Sequence, residues 1–513
     1  MPHDYTEDQL VEQPAIGLFS ELGWATVSAR EETFGVGGTL GRETPGEVVL
    51  LPRLRAALER FNPRIPTEIL AVAADELTRD RSAMSLVAAN REVYRLLKDG
   101  IPVSVPDLAN SGQKIERIRV VDWEQPGEND FLLVSQFSVT GPLYTCRPDL
   151  VGFVNGLPLV VIELKKPGVP ARAAFDENLT SYKHAQNGIP ALFWTNALLI
   201  ASNGTDSRVG SMTADWDRFF EWKRIEDENE SRRVSLDVVI RGTCDRGRLL
   251  DILENFTLFS EHKTGLVKII GQNHQFLGVN RAIASMLGAR KAGHGRAGVF
   301  WQTQGSGKSF SMVFFAQKVL RKVSGNWTFV VVTDRVELDD QIAKTFKAAG
   351  AVSETEGDEC HAANGAHLRE LLRGNHRYVF TLIHKFQTPE MLCDRPDVIV
   401  LTDEAHRSQY DTLALNMRAA LPKALFLAFT GTPLIAAEES TKDVFGDYVS
   451  VYDSSNPSKT TPRCLSTMRT ALRSSGSTIP ISARKSTTPS SPPAWTTIRS
   501  DGLRRCSDGN INC

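Results

Sequence analysis

Several features are scarce or missing in this chain of 513 residues. Its 7 cysteines are scattered and form no Cys-x-x-Cys pair, which argues against a zinc site and a disulfide framework. No apolar run approaches the roughly 20 residues that a membrane-spanning helix needs, and the N-terminus lacks the pattern of a signal peptide. The formal net charge is only −2, so nucleic-acid binding would depend on local basic patches. We therefore expect a cytoplasmic protein of several domains with no membrane segment.

Hydrophobic patterns divide the chain into regions. Residues 5–30 and 50–100 predict helices, the first from Leu10 to Leu22, and the run Lys223–Arg233 predicts a surface helix or linker. Strands are predicted at Ile118–Val121, Phe131–Val139, Leu150–Val154, Leu159–Leu164 and Leu198–Ala201. Beyond residue 298, strands alternate with helices, which is typical of an α/β fold with a parallel sheet. Those strands are Val299–Trp301, Phe329–Thr333, Tyr378–Ile383, Val398–Leu401 and Leu425–Phe429.

The composition changes abruptly at Ser454–Cys513. Ser, Thr, Pro and Arg dominate there, Glu is absent, and no apolar periodicity survives. Such a composition is typical of a natural disordered tail. A frameshifted or otherwise aberrant C-terminus is the other interpretation, and we favour it because the tail follows the well-patterned segment Thr441–Tyr452 directly.

Residues 302–309, Gln-Thr-Gln-Gly-Ser-Gly-Lys-Ser, predict a phosphate-binding loop between a strand and a helix. Glycines there let backbone N–H groups surround phosphate oxygens. Lys308 would neutralise the β- and γ-phosphates, and Ser309 would ligate Mg²⁺. ATP and Mg²⁺ are therefore the expected cofactors. The residues expected to contact them are Gly305, Ser306, Gly307, Lys308 and Ser309.

The sequence Asp403-Glu404-Ala405-His406 completes a nucleotide motor site. Asp403 follows the apolar segment Asp397–Thr402, which places its carboxylate at the C-terminal end of a strand, where ligands of parallel sheets bind. Asp403 would hold Mg²⁺ through water, and Glu404 would polarise the attacking water. Taken alone, these residues could also begin a solvated helix.

A second candidate site combines Asp149 with Glu163 and Lys165. A metal-dependent nuclease needs carboxylates to hold Mg²⁺ and a lysine to position the attacking water. Glu163 and Lys165 are two residues apart in a predicted strand, so both side chains lie on one face. Because Glu and Lys also alternate on ordinary exposed strands, the spacing is weak evidence by itself.

Asn155-Gly156 predicts a hairpin turn between the two strands that carry these residues. A two-residue loop would place Asp149 opposite Ile162, whereas a three-residue loop would place it opposite Glu163. We predict the three-residue loop, Asn155–Leu157, since it clusters the two carboxylates.

The nucleotide elements resemble the first RecA-like lobe of superfamily 2 helicases and translocases. Through that resemblance, Thr333 and Arg335 are expected to contact the DNA backbone. The segment Thr430–Pro433 would couple ATP hydrolysis to movement. His274-Gln275-Phe276 resembles the glutamine element that reads adenine, and the alternative is that Gln275 is an ordinary polar helix residue.

The order of nuclease, glutamine element and motor is similar to the restriction (R) subunit of type I restriction-modification enzymes, over roughly residues 5–453. Supporting segments are Asn90–Gly100 and Arg147–Asp149. The resemblance implies a PD-(D/E)xK-type nuclease domain at residues 1–240, a RecA-like lobe at 241–453 and a disordered or aberrant tail at 454–513. It also implies ATP-driven translocation and cleavage of double-stranded DNA, with methylation (M) and specificity (S) subunits as partners.

Two departures from the family pattern affect these expectations. The family's Gln-x-x-x-Tyr element is Asn178 to Tyr182 here, so the DNA or metal-site contact is expected to be weaker; Tyr182 could instead be a core residue. The second motor lobe, with its arginine finger, is not recognisable, which predicts a truncated chain with weak ATP binding, little hydrolysis and no translocation. The alternatives are a stand-alone nuclease-helicase of DNA repair or phage defence, and a non-catalytic remnant.

Overall fold

The computed structural model describes residues 7–107, 112–227, 230–231, 233–352, 359–403, 410–431 and 438–452. The predicted water-polarising residue Glu404, the second half of the segment Thr430–Pro433, and the tail Ser454–Cys513 lie outside the described residues. In the described ranges, no helix has both the length and the apolar character needed to cross a membrane.

The helices of the described residues follow the chain in this order: α1 Gln13–Glu21, α2 Leu51–Phe61, α3 Thr67–Thr78, α4 Leu86–Asp99, α5 Thr180–Tyr182, α6 Ser235–Cys244, α7 Arg246–Asn255, α8 Asn273–Ala292, α9 Lys308–Lys322, α10 Val336–Ala348, α11 Gly365–Arg373, α12 Tyr410–Ala420 and α13 Glu438–Phe445. A π-helical segment, Asp8–Glu12, leads into α1, and a second, Ala174–Leu179, leads into α5. The charged run Lys223–Arg233 forms no helix in its described part, so its linker interpretation holds there.

The strands are β1 Ala25–Ser28, β2 Ile101–Asp107, β3 Gly112–Ile118, β4 Phe131–Ser135, β5 Val139–Thr140, β6 Thr145–Cys146, β7 Leu150–Val154, β8 Leu157–Leu164, β9 Leu198–Ser202, β10 Ser207–Gly210, β11 Thr257–His262, β12 Gly265–Ile270, β13 Arg296–Gln302, β14 Thr328–Thr333, β15 Tyr378–Leu382, β16 Val398–Asp403, β17 Leu425–Thr430 and β18 Tyr448–Tyr452.

The first large sheet is mixed and has the order β1-β4-β7-β8-β9-β10. β4, β7 and β8 form an antiparallel meander, while β1 joins β4 and β9 joins β8 in parallel. All residues of β4, β7, β8 and β9 are buried, so both faces of this sheet are covered.

Two strand predictions in this region were wrong. The predicted strand Ile118–Val121 is the end of β3, which stops at Ile118, because the backbone of Arg119 then donates to the side chain of Asn62 at 2.9 Å. The predicted strand Phe131–Val139 breaks after Ser135, because Gln136 adopts the left-handed conformation with φ 58°.

The second large sheet is parallel throughout, with the order β15-β14-β16-β17-β13-β18. Its five predicted strands are all present, and β18 adds a sixth at the edge beside β13. Since the strands are parallel, their C-terminal ends meet at one edge of the sheet, where ligands of such folds bind. The mixed α/β class predicted from the sequence is confirmed.

The two sheets share a hydrophobic core. One continuous cluster of buried side chains extends from Val11 in the N-terminal segment to Phe429 in β17, and a smaller cluster fills the other face of the parallel sheet. α6 joins the two regions, since the carbonyl of Cys244 accepts a 2.9 Å hydrogen bond from Trp24 Nε1. The predicted domain boundary at residue 240 lies inside this helix.

Candidate nucleotide and nuclease sites

The loop between β13 and α9 has the backbone that phosphate binding requires. Gly305 and Gly307 have φ of 80° and 84°, a region that favours glycine. Gly307 is the N-cap of α9, so the loop leads directly into the positive end of a helix. A Cβ atom on Gly307 would lie 2.8 Å from Nε2 of Gln275, so a larger residue there would displace the Gln275 side chain.

Lys308 and Asp403 come together across the mouth of this loop. Lys308 Nζ lies 3.4 Å from Asp403 Oδ1, and the two side chains are 13% and 9% exposed. Asp403 is the last residue of β16, as predicted, and Ser309 is the second residue of α9. An ammonium, a hydroxyl and a carboxylate around an amide-rich loop are the donor set that a magnesium nucleotide requires, so these residues fit ATP and Mg²⁺.

Gln275 holds the phosphate loop against the start of α8. Its Oε1 accepts from the backbone N–H of Gln272 at 2.9 Å, and its Nε2 donates to the carbonyl of Gly307 at 3.1 Å. The side chain is buried, and its amide is already engaged at both ends. In this conformation Gln275 therefore supports the loop.

A small cavity of about 220 Å³ is lined by Gln272 and His274 at the start of α8 and by Tyr452. His274 stacks on Tyr452 along its wall, with ring centroids 3.9 Å apart and an interplanar angle of 12°. His274 Nε2 is 3.1 Å from the carbonyl oxygen of Ser306, and burial lowers the pKa of His274 to about 4, so the ring is neutral at neutral pH. The sequence indicated neither Gln272 nor Tyr452 as site residues.

The two residues predicted to contact DNA after β14 differ in exposure. Thr333 is fully buried, and its hydroxyl lies 3.4 Å from Asp339 Oδ1, so its side chain does not reach the surface. Arg335 is exposed, with 56% of its side chain accessible. Of this pair, the structure places only Arg335 where it can reach a DNA backbone.

The hairpin of β7 and β8 brings Asp149 to Glu163 by a route other than the predicted one. Val154 pairs with Leu157, so the loop has two residues, Asn155 and Gly156, and the predicted three-residue loop was wrong. Both loop residues have positive φ, as a type I′ turn requires. A register shift follows, with Gly152 opposite Val160 and Leu150 opposite Ile162. This bulge supplies the extra residue that places Asp149 beside Glu163.

The two carboxylates are held by backbone amides of the opposite strand. Leu164 N donates to Asp149 Oδ2 at 2.8 Å, and Asp149 N donates to Glu163 Oε1 at 3.3 Å. Burial, followed by the charge of Asp149, raises the pKa of Glu163 well above its ordinary value, and burial raises the pKa of Asp149 as well. The pair therefore favours a bound proton or a bound cation.

Lys165 and Glu163 are linked through a chain of side-chain hydrogen bonds. Lys165 Nζ donates to Asn178 Oδ1 at 2.8 Å, and Asn178 Nδ2 donates to the hydroxyl oxygen of Tyr182 at 3.2 Å. Tyr182 is hydrogen bonded to Glu163 in turn, and burial raises its pKa. Although asparagine is shorter than the glutamine of the family pattern, the side chain of Asn178 reaches both Lys165 and Tyr182. Tyr182 is 6% exposed and contacts the carboxylate site from within the core.

Two further residues at this site were missed from the sequence. Gln136 Nε2 donates to Glu12 Oε2 at 3.0 Å, the Gln136 backbone N–H donates to the carbonyl of Asp149 at 2.7 Å, and its side chain also bonds to Asp149. Burial raises the pKa of Glu12, which is 6% exposed. Only tertiary structure unites these residues. The sequence carries no local signal for either residue, although in the structure Gln136 has a left-handed backbone, a strained conformation of the kind that often marks functional sites.

The nuclease residues fit a magnesium ion by the chemistry of their donors. Asp149 and Glu163 offer hard carboxylate oxygens, and Mg²⁺ in nucleic-acid enzymes is commonly held by one or two carboxylates together with water and substrate phosphate. In the part of the chain that is described, no group of three or more His, Cys, Asp or Glu side chains is arranged around a single metal position. The pair supplies two carboxylate ligands of this kind.

Two family models match the regions that carry the two candidate sites. Residues 4–218 match the family described as the N terminus of type I restriction enzyme R protein, and residues 274–460 match the SWI2/SNF2 ATPase family. The type I restriction enzyme HindI endonuclease subunit of Haemophilus influenzae is 36% identical over 471 residues, which cover 86% of this chain and 44% of that protein.

An archaeal relative and a solved structure extend the comparison. The MjaIXP endonuclease subunit of Methanocaldococcus jannaschii, described as a type I restriction enzyme, is 32% identical over 481 residues, 87% of this chain and 44% of that protein. The SWI2/SNF2 ATPase core of Sulfolobus solfataricus in complex with dsDNA matches with a TM-score of 0.27 and 12% identity, over 38% of this chain and 37% of that chain. The present chain thus spans under half the length of both curated relatives.

Proposed function

Because this chain belongs to the family of type I restriction enzyme R proteins, we propose that it contributes the nuclease and the first motor lobe of an ATP-dependent DNA restriction enzyme. Its substrate is double-stranded DNA, and its partners are methylation and specificity subunits, which supply sequence recognition. The observation that carries the nuclease part is the hairpin register that sets Asp149 beside Glu163, one residue pair beyond Leu150 and Ile162. We propose residues 1–240 and 241–453 as the two functional regions.

In the motor region, the phosphate loop would bind the triphosphate. Backbone amides from Gly305 to Gly307 and the positive end of α9 would surround the phosphate oxygens. Lys308 would leave its contact with Asp403 and bind the β- and γ-phosphates instead. Ser309 and Asp403 would hold Mg²⁺, which supplies charge neutralisation when bound. Glu404, next in the chain, is proposed to polarise the attacking water.

Adenine recognition is proposed for the cavity beside the loop. Gln272 lines it, and the stacked pair His274 and Tyr452 forms part of its wall, which would offer aromatic faces to a base. Gln275 would contribute indirectly, by fixing the carbonyl of Gly307 and the start of α8.

In the nuclease region, Asp149 and Glu163 would hold Mg²⁺, and Lys165 would position the water that attacks the scissile phosphate. When bound, the ion supplies Lewis-acid chemistry and stabilises charge on the phosphate. Asn178 and Tyr182 orient Lys165 and Glu163 through their hydrogen bonds, so Tyr182 acts inside the site. Arg335 is the residue we propose to contact the DNA backbone beside the motor, and Thr333 would support it from the interior.

The test compares two variants that should separate the two sites. Lys308→Ala should weaken binding of a fluorescent ATP analogue by about 10- to 100-fold, since it removes a charged contact with phosphate, and should leave the nuclease carboxylates unchanged. Glu163→Gln should abolish nicking of plasmid DNA, measured with methylation and specificity subunits and Mg²⁺, while nucleotide binding stays normal. Thermal melting of both variants checks that they fold.

Retained nicking in Glu163→Gln would refute the nuclease site, and unchanged nucleotide affinity in Lys308→Ala would refute the phosphate loop. If the unmodified chain nicks plasmid DNA at the same rate with and without the partner subunits, the result would instead favour a stand-alone nuclease-helicase.

A further inference from the structure

A groove of about 1060 Å³ runs between α4, the β11–β12 hairpin and α10. It carries more positive than negative charge: 6 lysine and arginine side chains line it against 3 carboxylates. The whole chain has a net charge of −2, so this excess is local. The basic residues of the groove are Arg91, Arg95, Lys98, Lys263, Lys344 and Lys347.

Part of this charge is already neutralised within the protein. Arg91 pairs with Glu261 at 2.6 Å, and Asp99 pairs with Arg321 at 3.2 Å. Burial lowers the pKa of Lys98 to about 7, so Lys98 is only partly charged at neutral pH. The positive charge that is not neutralised in this way therefore lies mainly on the exposed basic residues of the groove.

Three of those exposed cations come from three different elements. Arg95 lies on α4, Lys263 lies in the turn between β11 and β12, and Lys344 lies on α10. Among the residues that the structure describes, none forms an ion pair with any of the three. Side chains from separate elements that converge on one groove without internal counter-ions indicate an external anion.

The surroundings of the groove favour nucleic acid over a protein partner. α10, which lines the groove, begins directly after Arg335, the residue proposed to contact DNA. Half-buried Phe259 and Phe310 also line the groove, but every large hydrophobic side chain that is exposed in the described ranges lies outside it. A stable protein interface needs exposed apolar or aromatic anchors at its centre. Phosphate contacts need only well-placed cations.

The groove is distinct from the nuclease site. Arg91 neighbours Asn90, whose amide donates to the carbonyl of Asn196 at 2.9 Å, just before β9 begins. Glu163 lies near the end of β8, and β8 and β9 are parallel. The groove is therefore at the opposite end of the mixed sheet from the carboxylates, so DNA in it would be held away from the cutting site.

We propose that this groove binds the phosphate backbone of one strand of duplex DNA beside the motor lobe. The proposal deepens the proposed function, since it rests on double-stranded DNA as the substrate. Arg95, Lys263 and Lys344 would each contact a phosphate, and together they would hold the duplex in register with α10.

The experiment measures duplex binding as a function of salt. The full chain is titrated against a fluorescent duplex oligonucleotide at several salt concentrations, and its affinity is compared with that of Arg95→Gln, Lys263→Gln, Lys344→Gln and the triple variant. Arg64→Gln and Lys291→Gln serve as matched controls, because both residues carry exposed positive charges outside the groove.

We expect each groove variant to weaken duplex binding, because one cation no longer neutralises a phosphate. The slope of log affinity against log salt should become shallower by about 0.9 for each substituted cation. The controls should keep both affinity and slope. An unchanged slope in the triple variant would overturn the proposal. So would weakening confined to single-stranded DNA, or weaker methylation-subunit binding with duplex affinity intact.

Failure of the proposed function is distinguishable from failure of the groove. Duplex binding by the groove requires neither Lys308 nor Glu163, so a groove-dependent salt slope in a chain without nuclease or nucleotide binding would support the groove alone.

Discussion

Gly156 shows how a single residue fixes the geometry of the candidate nuclease. It is the second residue of the β7–β8 turn, with φ 79°, and its carbonyl accepts a 2.8 Å hydrogen bond from Leu50 N at the start of α2. A Cβ atom there would lie 2.4 Å from the carbonyl oxygen of Leu50 and 2.8 Å from Leu54 N. The turn thus docks on a helix with no space for any larger side chain.

We expect Gly156→Ala to destabilise the protein by about 2–4 kcal/mol, since it combines left-handed strain with a clash against backbone atoms. Gly17→Ala is the matched control. Gly17 is exposed in α1 with nothing within 4 Å of its added Cβ, so alanine should be neutral or stabilising by about 0.5–1 kcal/mol. Chemical denaturation of both variants gives the free energies of unfolding, and equal values would contradict this view of the turn.

The residues of the candidate nuclease site differ in how far the sequence could predict them. Asp149, Glu163 and Lys165 could be predicted as a group because a hairpin is a local structure. The strand pattern and the turn residues together limit how the two strands can pair. The loop length was wrong because a bulge is invisible in an alternating pattern when both faces are buried, as in β8. Glu12 and Gln136 could not be predicted, since they reach Asp149 only through tertiary packing.

At the scale of elements, Lys268 joins three segments that are far apart in sequence. It lies on β12 and is 2% exposed, and its ammonium donates to Asn90 Oδ1 of α4 at 3.1 Å and to the carbonyl of Asn196 before β9 at 2.5 Å. Burial lowers the pKa of Lys268 to about 7. A lysine whose pKa lies near neutrality is therefore part of the connection between the mixed sheet and the hairpin.

This environment makes stability depend on pH with a definite sign. Between about pH 7 and the ordinary lysine value of about 10.5, the unfolded chain binds the proton and the folded chain does not, so the Lys268 contribution to stability rises with pH across that window. Lys268→Met lacks this rise. The melting temperature of the variant minus that of the parent should therefore be more favourable at about pH 6 than at about pH 9.5. A difference that is constant with pH would show that Lys268 titrates normally.

Among the elements, the parallel sheet was the most predictable. Its five expected strands are short apolar runs between helices, and a strand buried on both faces gives a strong sequence signal. The strand Ile118–Val121 was misplaced because apolar residues continue past Arg119, whereas the strand ends where the backbone N–H of Arg119 donates to the side chain of Asn62. That contact depends on a residue more than 50 positions earlier, which no local pattern indicates.

At the scale of the whole molecule, the mixed and parallel sheets share one buried cluster, and α6 and α7 lie between them. α6 is tied to α1 and its surroundings by the Glu21–Arg241 ion pair and by the hydrogen bond from Trp24 to the carbonyl of Cys244. A chain that ends at residue 240 lacks both of the C-terminal partners in these contacts. The region proposed as the nuclease therefore contacts residues past the boundary at 240 that the family resemblance implied.

We expect a chain of residues 1–255, which completes α7, to be more stable than a chain of residues 1–240. The longer chain regains the partners of Glu21 and Trp24 and buries several leucines of α7, each contributing about 1.5–3 kcal/mol. Thermal melting and limited proteolysis of the two chains measure the difference. Equal melting temperatures would mean that the mixed sheet is complete by residue 240.

Tyr452 gives the phosphate loop a mechanical connection to the chain that follows it. Its carbonyl accepts a 3.2 Å hydrogen bond from Thr303 N, its ring stacks on His274, and β18 pairs with β13 at the edge of the sheet. Tension on the backbone beyond residue 452 would therefore act on the loop and on the cavity wall together. Such coupling is reciprocal. If tension on this segment weakens nucleotide binding by a given free energy, then nucleotide binding would stabilise the position of the segment by the same free energy.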